Sequence, residues 1–330
     1  MAETIVVLGS NSFSGSHFVD HALTQGYQVI GMSRSKELLD VFLPYKKNDR
    51  HGNFSFYQYD INHHLEAITA KIKEVKAKFV VNFAAQSMVS QSWDNPDHWY
   101  QTNTVATINL HCALRKLPFL ERYVHISTPE VYGTCVGLVK ENNNYHGSTP
   151  YAISRAAADM SLETFYKAYH FPVVFTRAAN VYGGGQQLYR IVPKTILFFM
   201  LGWKVPLHGG GHSVRSFIHI KDVADGTLKV MEKGTNGEIY HFSTTLNISI
   251  RELVEKIARK VGVAVNDLVE VTEERLGKDA AYLLDSSKAK QTLGWKDTVS
   301  LDEGIDETIE WVKQNIDVLK KQELGYVHKP

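Results

Sequence analysis

The sequence predicts an α/β fold: a doubly wound parallel sheet with a smaller, discontinuous α/β substrate domain at the carboxyl ends of its strands. Three observations carry this reading. Short apolar or β-branched runs, at residues 4–8, 28–32, 79–83 and 123–126, alternate with longer helical patterns. A loop of small residues, Gly9 to Gly15, separates the first run from a helical pattern. Polar residues follow the runs directly, and the carboxyl end of a strand is where open α/β sheets bind ligands.

In chain order, the run 4–8 leads into Gly9-Ser10-Asn11-Ser12-Phe13-Ser14-Gly15, and the helical pattern opens at Ser16. A strand, a small-residue loop and a helix form a dinucleotide cradle, in which backbone N–H groups and the helix N-terminus face a pyrophosphate. This makes the sheet Rossmann-type, with Gly9, Asn11, Ser12, Phe13 and Gly15 as candidate cofactor residues. The second run ends in Ser33-Arg34-Ser35. An acid there would bind the ribose hydroxyls of NAD, whereas a guanidinium between hydroxyls suits the extra phosphate of NADP. NADP is therefore the expected cofactor, with NAD the alternative. A third run, 54–59, ends in Asp60-Ile61, and the fourth in Ala84-Ala85-Gln86-Ser87, whose alanines let a cofactor pass close.

The chemistry concentrates in two segments. Ser127-Thr128-Pro129-Glu130-Val131-Tyr132-Gly133 follows the run at 123–126. Tyr151-Ala152-Ile153-Ser154-Arg155 opens a long helical pattern, in which Tyr151 and Arg155 are four residues apart and share a face. A fixed cation beside a phenol favours the phenolate. Thr128, Glu130, Tyr151 and Arg155 together supply a hydroxyl, a carboxylate, an acid/base phenol and a cation, a set for moving protons around a hydroxyl or ketone.

These segments resemble the extended short-chain dehydrogenase/reductases, with their Y-x-x-x-K helix, and S-T-x-E-V-Y-G resembles the nucleotide-sugar 4,6-dehydratases that act on dTDP-glucose and GDP-mannose. The chain departs from the pattern at three positions: Arg155 replaces lysine, Pro129 replaces the aspartate acid of the dTDP-glucose enzymes, and Ser12 replaces the central glycine of G-x-x-G-x-x-G. The GDP-mannose enzymes lack that aspartate too, which leaves Glu130 or a bound water to protonate the leaving hydroxyl. The resemblance implies that Asp60 and Ile61 contact adenine, that Ala84, Ala85, Gln86 and Ser87 line the nicotinamide ribose and the sugar, and that Tyr151 and Arg155 contact the cofactor. It implies an asparagine near 103 that stabilises a helix irregularity. It also implies Asn180, Arg215 and Arg275 on the sugar diphosphate of a nucleotide-sugar substrate, with Arg190 a further substrate-binding candidate, and a homodimer through helices around 97–114 and 151–169. The implied reaction yields a 4-keto-6-deoxy sugar, with the cofactor regenerated each cycle. An epimerase or decarboxylase of the same fold and a non-catalytic dinucleotide-binding regulator are the rivals.

Composition narrows the rest. With 330 residues and 44% hydrophobic content, the chain can bury a full core. The expected division is residues 1–181 plus about 217–244 for the cofactor, and about 182–216 plus 245–330 for the nucleotide sugar. A formal net charge of +1 gives no nucleic-acid footprint. Two cysteines fit a reducing compartment, and the longest apolar run, 196–201, is too short to span a bilayer. A soluble cytoplasmic protein without membrane partners is expected. The fifteen histidines include the pairs His63-His64 and His208/His212, neither with the carboxylate or cysteine partners of a zinc site, so no metal is expected. The last dozen residues read as a surface tail.

Overall fold

The computed structural model describes residues 2–135, 137–273 and 283–329. Its main sheet has seven strands: in chain order Thr4–Leu8, Gln28–Met32, Phe54–Tyr57, Phe79–Asn82, Arg122–Ile126, Val173–Ala178 and Ile239–Phe242. Across the sheet they run third, second, first, fourth, fifth, sixth, seventh, all parallel. This order reverses direction at the first strand, and the crevice between the first and fourth strands is where such sheets take a dinucleotide.

The first strand shows why its sequence is apolar throughout. Period-two alternation sends Ile5 and Val7 into the core on one face of the sheet, and Val6 and Leu8 into the core on the other. With both faces covered, every side chain is buried, which reads in sequence as a continuous run rather than an alternation. Each such side chain contributes on the order of 1.5–3 kcal/mol by leaving water.

A third core lies at the carboxyl end of the sheet. Leu197, Leu253, Ile257, Ile305 and Val312 pack there, from the helices Ile191–Met200, Ile250–Val261 and Leu301–Leu319. Both later helices begin with a capping box, Ser249 with Glu252 and Ser300 with Glu303, which satisfies N–H groups that the first helical turn leaves open. A small sheet joins this region to the main one. Asn180–Tyr182 continues from the sixth strand and pairs in parallel with Val214–His219, which pairs antiparallel with Asn247–Ser249. Ala289, Leu293 and Trp295 return to the first core, and the Trp295 indole donates to the Asp222 carbonyl at 2.8 Å.

The last helix extends to Leu319 because Leu319 is buried in the third core. The helix after the fourth strand is broken into Pro96–Trp99, a π-helical stretch Tyr100–Ala106, and Thr107–Leu114. Among the described residues no helix is long and apolar enough to cross a membrane.

Candidate active site

The loop after the first strand is shaped by its glycines. Gly9 has φ +78°, and a Cβ there would lie 2.7 Å from the Ala84 nitrogen. A Cβ on Gly15 would lie 2.2 Å from the Gly9 carbonyl oxygen, so the loop turns only because position 15 has no side chain. Ser12 is the N-cap of the helix Phe13–Thr24, its hydroxyl accepting from the Gly15 N–H at 3.0 Å. The serine in place of glycine thus strengthens the helix start. A tight loop closed by two glycines, ending on a helix N-terminus at the switch point of the sheet, fits the pyrophosphate of a dinucleotide.

Around this loop the candidate residues divide. Asn11 donates from its amide to the Ser35 and Lys36 carbonyls, at 3.0 and 2.9 Å, and its N–H donates to the Ser33 hydroxyl at 3.0 Å. Asn11 and Ser33 therefore lock the first loop to the second. Ile61 is buried in the core, and the Asp60 carboxylate accepts from the Asn62 N–H at 2.8 Å. Ala84 donates its N–H to the Asn82 side chain at 3.0 Å. Asn103, in the π-helical stretch, accepts from the Gln86 N–H at 2.8 Å and donates to the Gln86 carbonyl and the Ser154 hydroxyl, each at 3.0 Å. One amide thereby fixes the loop after the fourth strand to the Tyr151 helix.

Beside the loop opens a cavity of about 620 Å³. It brings together Ser12, Phe13 and Ala85 of the cofactor set, the catalytic candidates Thr128, Glu130, Tyr151 and Arg155, and the substrate candidates Ser87, Asn180, Arg190 and Arg215. Arg34, Asp60 and Gln86 do not line it. Arg275 lies outside the described residues. Lys194 also lines the cavity, a cation that the sequence reading did not assign to the site. Its position four residues after Arg190 on the same helical face was the available signal.

Within the cavity the Thr128 hydroxyl donates to the Glu130 carboxylate and hydrogen-bonds Tyr151. Burial pushes the Tyr151 phenol up to about 12, and the Glu130 charge pushes the same way. The Arg155 charge pulls it down without overcoming burial. The expected phenolate support from Arg155 is therefore present but outweighed. Arg155 is itself buried, donating to the Ile126 carbonyl, with the His125 Nε2 at 3.3 Å. Behind it, His125 Nε2 is 3.3 Å from the Asp159 carboxylate, which accepts from Arg177 at 2.9 Å and Ser127 at 2.5 Å. Burial opposes the charge on Asp159, but His125 and Arg177 outweigh it and hold the carboxyl at about 2. Tyr151, Arg155 and Asp159 follow one another at a spacing of four, one helix face aimed at the fifth strand.

Residues 6–308 match the GDP-mannose 4,6-dehydratase family. The chain belongs to that family. Its members are extended short-chain dehydrogenase/reductases of the nucleotide-sugar dehydratase group. It is 30% identical over 332 residues to a dTDP-glucose 4,6-dehydratase of Xanthomonas campestris, covering 94% of this chain and 93% of that one. Among solved structures, dTDP-glucose 4,6-dehydratase from Bacillus anthracis, in complex with NAD, superposes with a TM-score of 0.87 at 30% identity, covering 97% of this chain and 99% of that one. UDP-glucose 4-epimerase from Thermotoga maritima, with UDP-glucose, superposes at 0.86 with 28% identity, covering 95% and 99%. The chain spans about half, 48%, of a trifunctional Arabidopsis thaliana UDP-glucose 4,6-dehydratase that it also matches.

The end of the chain stays at the surface, as read in the sequence, but lies against the protein. Tyr326, His328 and Lys329 lie against Tyr189, Trp99, Gln86 and Arg34.

Proposed function

We propose that the protein converts a nucleotide-diphosphate hexose to the 4-keto-6-deoxy sugar by internal oxidation, loss of water and reduction. Because both dehydratases and epimerases share the fold, the choice rests on one observation: a carboxylate, Glu130, stands in the same hydrogen-bonded group as Thr128 and Tyr151. An epimerase needs the phenol but no second base.

The loop Gly9–Gly15 would hold the pyrophosphate of a nicotinamide dinucleotide, with Arg34 favouring NADP over NAD. A bound nicotinamide would supply a reversible hydride acceptor, for oxidation at C4 and reduction at C6 of the sugar. Tyr151 accepts the C4 hydroxyl proton, with Thr128 orienting the phenol. The C4 ketone acidifies C5–H, Glu130 removes that proton, and hydroxide leaves from C6 as water. With Pro129 in the position of an acid, Glu130 or a bound water delivers the proton to the leaving hydroxyl. Arg190 and Arg215 would bind the diphosphate, since a guanidinium fork matches phosphate oxygens.

The division into a cofactor unit and a sugar unit, and a homodimer, belong to the same reading. Val105, Ile153 and Met160 are large apolar side chains exposed by 43%, 45% and 52%, on the helices expected to meet. Incubation with a panel of nucleotide sugars tests the function. The expected product is an alkali-sensitive 4-keto-6-deoxy sugar two hydrogens and one oxygen lighter than its substrate. A product of unchanged mass with an inverted centre would make the protein an epimerase instead.

A further inference from the structure

After the last helix the chain turns back from the third core toward the main sheet. Leu324 packs against that core. The Tyr326 ring meets Tyr189 edge-on, with centroids 5.5 Å apart. His328 stacks nearly parallel on His98 and Trp99, centroids 5.1 and 5.2 Å away, and its Nε2 is 2.8 Å from His98 Nδ1. The Lys329 carbonyl accepts from the Gln86 amide at 2.7 Å and the Arg34 guanidinium at 3.0 Å. Exposure alternates along the segment: Leu324, Tyr326 and His328 are partly covered, while Gly325, Val327 and Lys329 are exposed. That period of two is an extended segment laying alternate side chains on the protein. Five residues of extended chain span about 16 Å, enough to bridge a crevice.

The place where it lies follows from strand order. Arg34 comes after the second strand and Gln86 after the fourth, and the first strand lies between those two in the sheet. A carbonyl held by both residues therefore spans the carboxyl end of the first strand, over the loop Gly9–Gly15. The partners named are on the rim, not the loop itself.

We propose that Tyr326–Lys329 complete the dinucleotide site as a strap that closes over the seated cofactor and must lift for it to leave. This rests on the dinucleotide reading of the loop. A redox-neutral reaction returns the cofactor to its starting state in every cycle, so slow escape costs no turnover.

The test compares the full chain with a deletion of residues 325–330, which keeps Leu324 in its core, by displacing bound NAD or NADP and timing its release. The deletion is expected to release on the order of ten- to a hundredfold faster, the loss of two hydrogen bonds and the ring contacts. His328→Ala is expected to release at an intermediate rate, and Val327→Ala, whose side chain points outward, at the unaltered rate. His328→Ala carries the test if the deletion does not fold. Hydrogen exchange across residues 324–329 is expected to slow when cofactor is added. Release unchanged in both the deletion and His328→Ala overturns the strap, and so does tighter binding by the deletion, which would make the segment a competitor. A full chain that takes up neither dinucleotide overturns the reading of the loop, and the strap with it.

Discussion

The Arg155 guanidinium donates to the Ile126 carbonyl, pinning the helix that carries Tyr151 to the strand that delivers Thr128. A shorter lysine ammonium is a point charge that can rotate and exchange protons, whereas this planar, permanently charged group acts as a brace and an electrostatic bias. Arg155→Ala removes the charge that lowers a phenol already raised by burial to about 12. The rising limb of the kcat profile is expected to move to higher pH by roughly one unit or more. An unmoved profile would mean that Arg155 braces the helix without influencing the phenol.

Glu130→Gln separates the half-reactions. The amide preserves shape and can still accept from Thr128, but it cannot take the C5 proton. Positioned acid–base groups supply on the order of a hundred- to ten-thousandfold in rate. The variant is expected to form the 4-keto hexose, read by rapid quench and mass spectrometry, and to release almost no 6-deoxy product. Tyr151→Phe is expected to stop before the ketone. Near-normal turnover by Glu130→Gln would make the carboxylate structural.

Arg34→Asp is expected to shift cofactor preference from NADP toward NAD, because a carboxylate accepts from ribose hydroxyls and repels a 2′-phosphate. Titration of the unaltered protein with both dinucleotides decides it first, since equal or tighter NAD binding removes the role given to Arg34.

Acid should destabilise the fold well above the carboxylate range. Burial holds His17 and His111 at about 4, and burial with the Arg177 charge holds His241 at about 3, against 6.5 when exposed. The folded state therefore favours the neutral ring. This stability is complete above pH 6.5 and is lost as pH falls toward 4 and then 3, where the unfolded chain binds the protons more readily. Asp159 adds a second loss lower down, between its ordinary 3.8 and about 2. Glu141 and Glu163, raised by burial, offset part of this. Thermal melting followed from neutral pH downward is expected to lose on the order of a few kcal/mol before pH 4. A flat melting temperature over that range contradicts the assignment of neutral buried rings.

Ile153→Glu and Met160→Glu should each place a charge in the expected helix interface. Light scattering is expected to show a dimer for the unaltered chain and monomer for the variants, with melting temperatures little changed because both side chains are exposed. Variants that stay dimeric would move the interface elsewhere.

Much of the architecture was legible because buried parallel strands leave apolar runs whose ends mark the ligand crevice. The catalytic positions were legible for a local reason: Thr128 and Glu130 are two residues apart on one loop, and Tyr151 and Arg155 four apart on one helix. What Arg155 bonds to was not, since that depends on how far the helix sits from the fifth strand. The balance of charges on Tyr151 was hidden likewise, because burial is a property of the packed cavity. The strap was least legible of all. His98 and His328 stack across a separation of 230 residues, and nothing in a polar chain end announces that contact.

The π-helical stretch Tyr100–Ala106 places more residues in each turn than an α-helix would, and its looser hydrogen bonding makes it the less stable form. Removing one residue there would let the backbone relax into an ordinary helix, yet rotate Asn103 away from Gln86 and Ser154. Thermal resistance and turnover would then move in opposite directions. Selection for catalysis would keep that extra residue, whereas selection for heat tolerance alone would discard it.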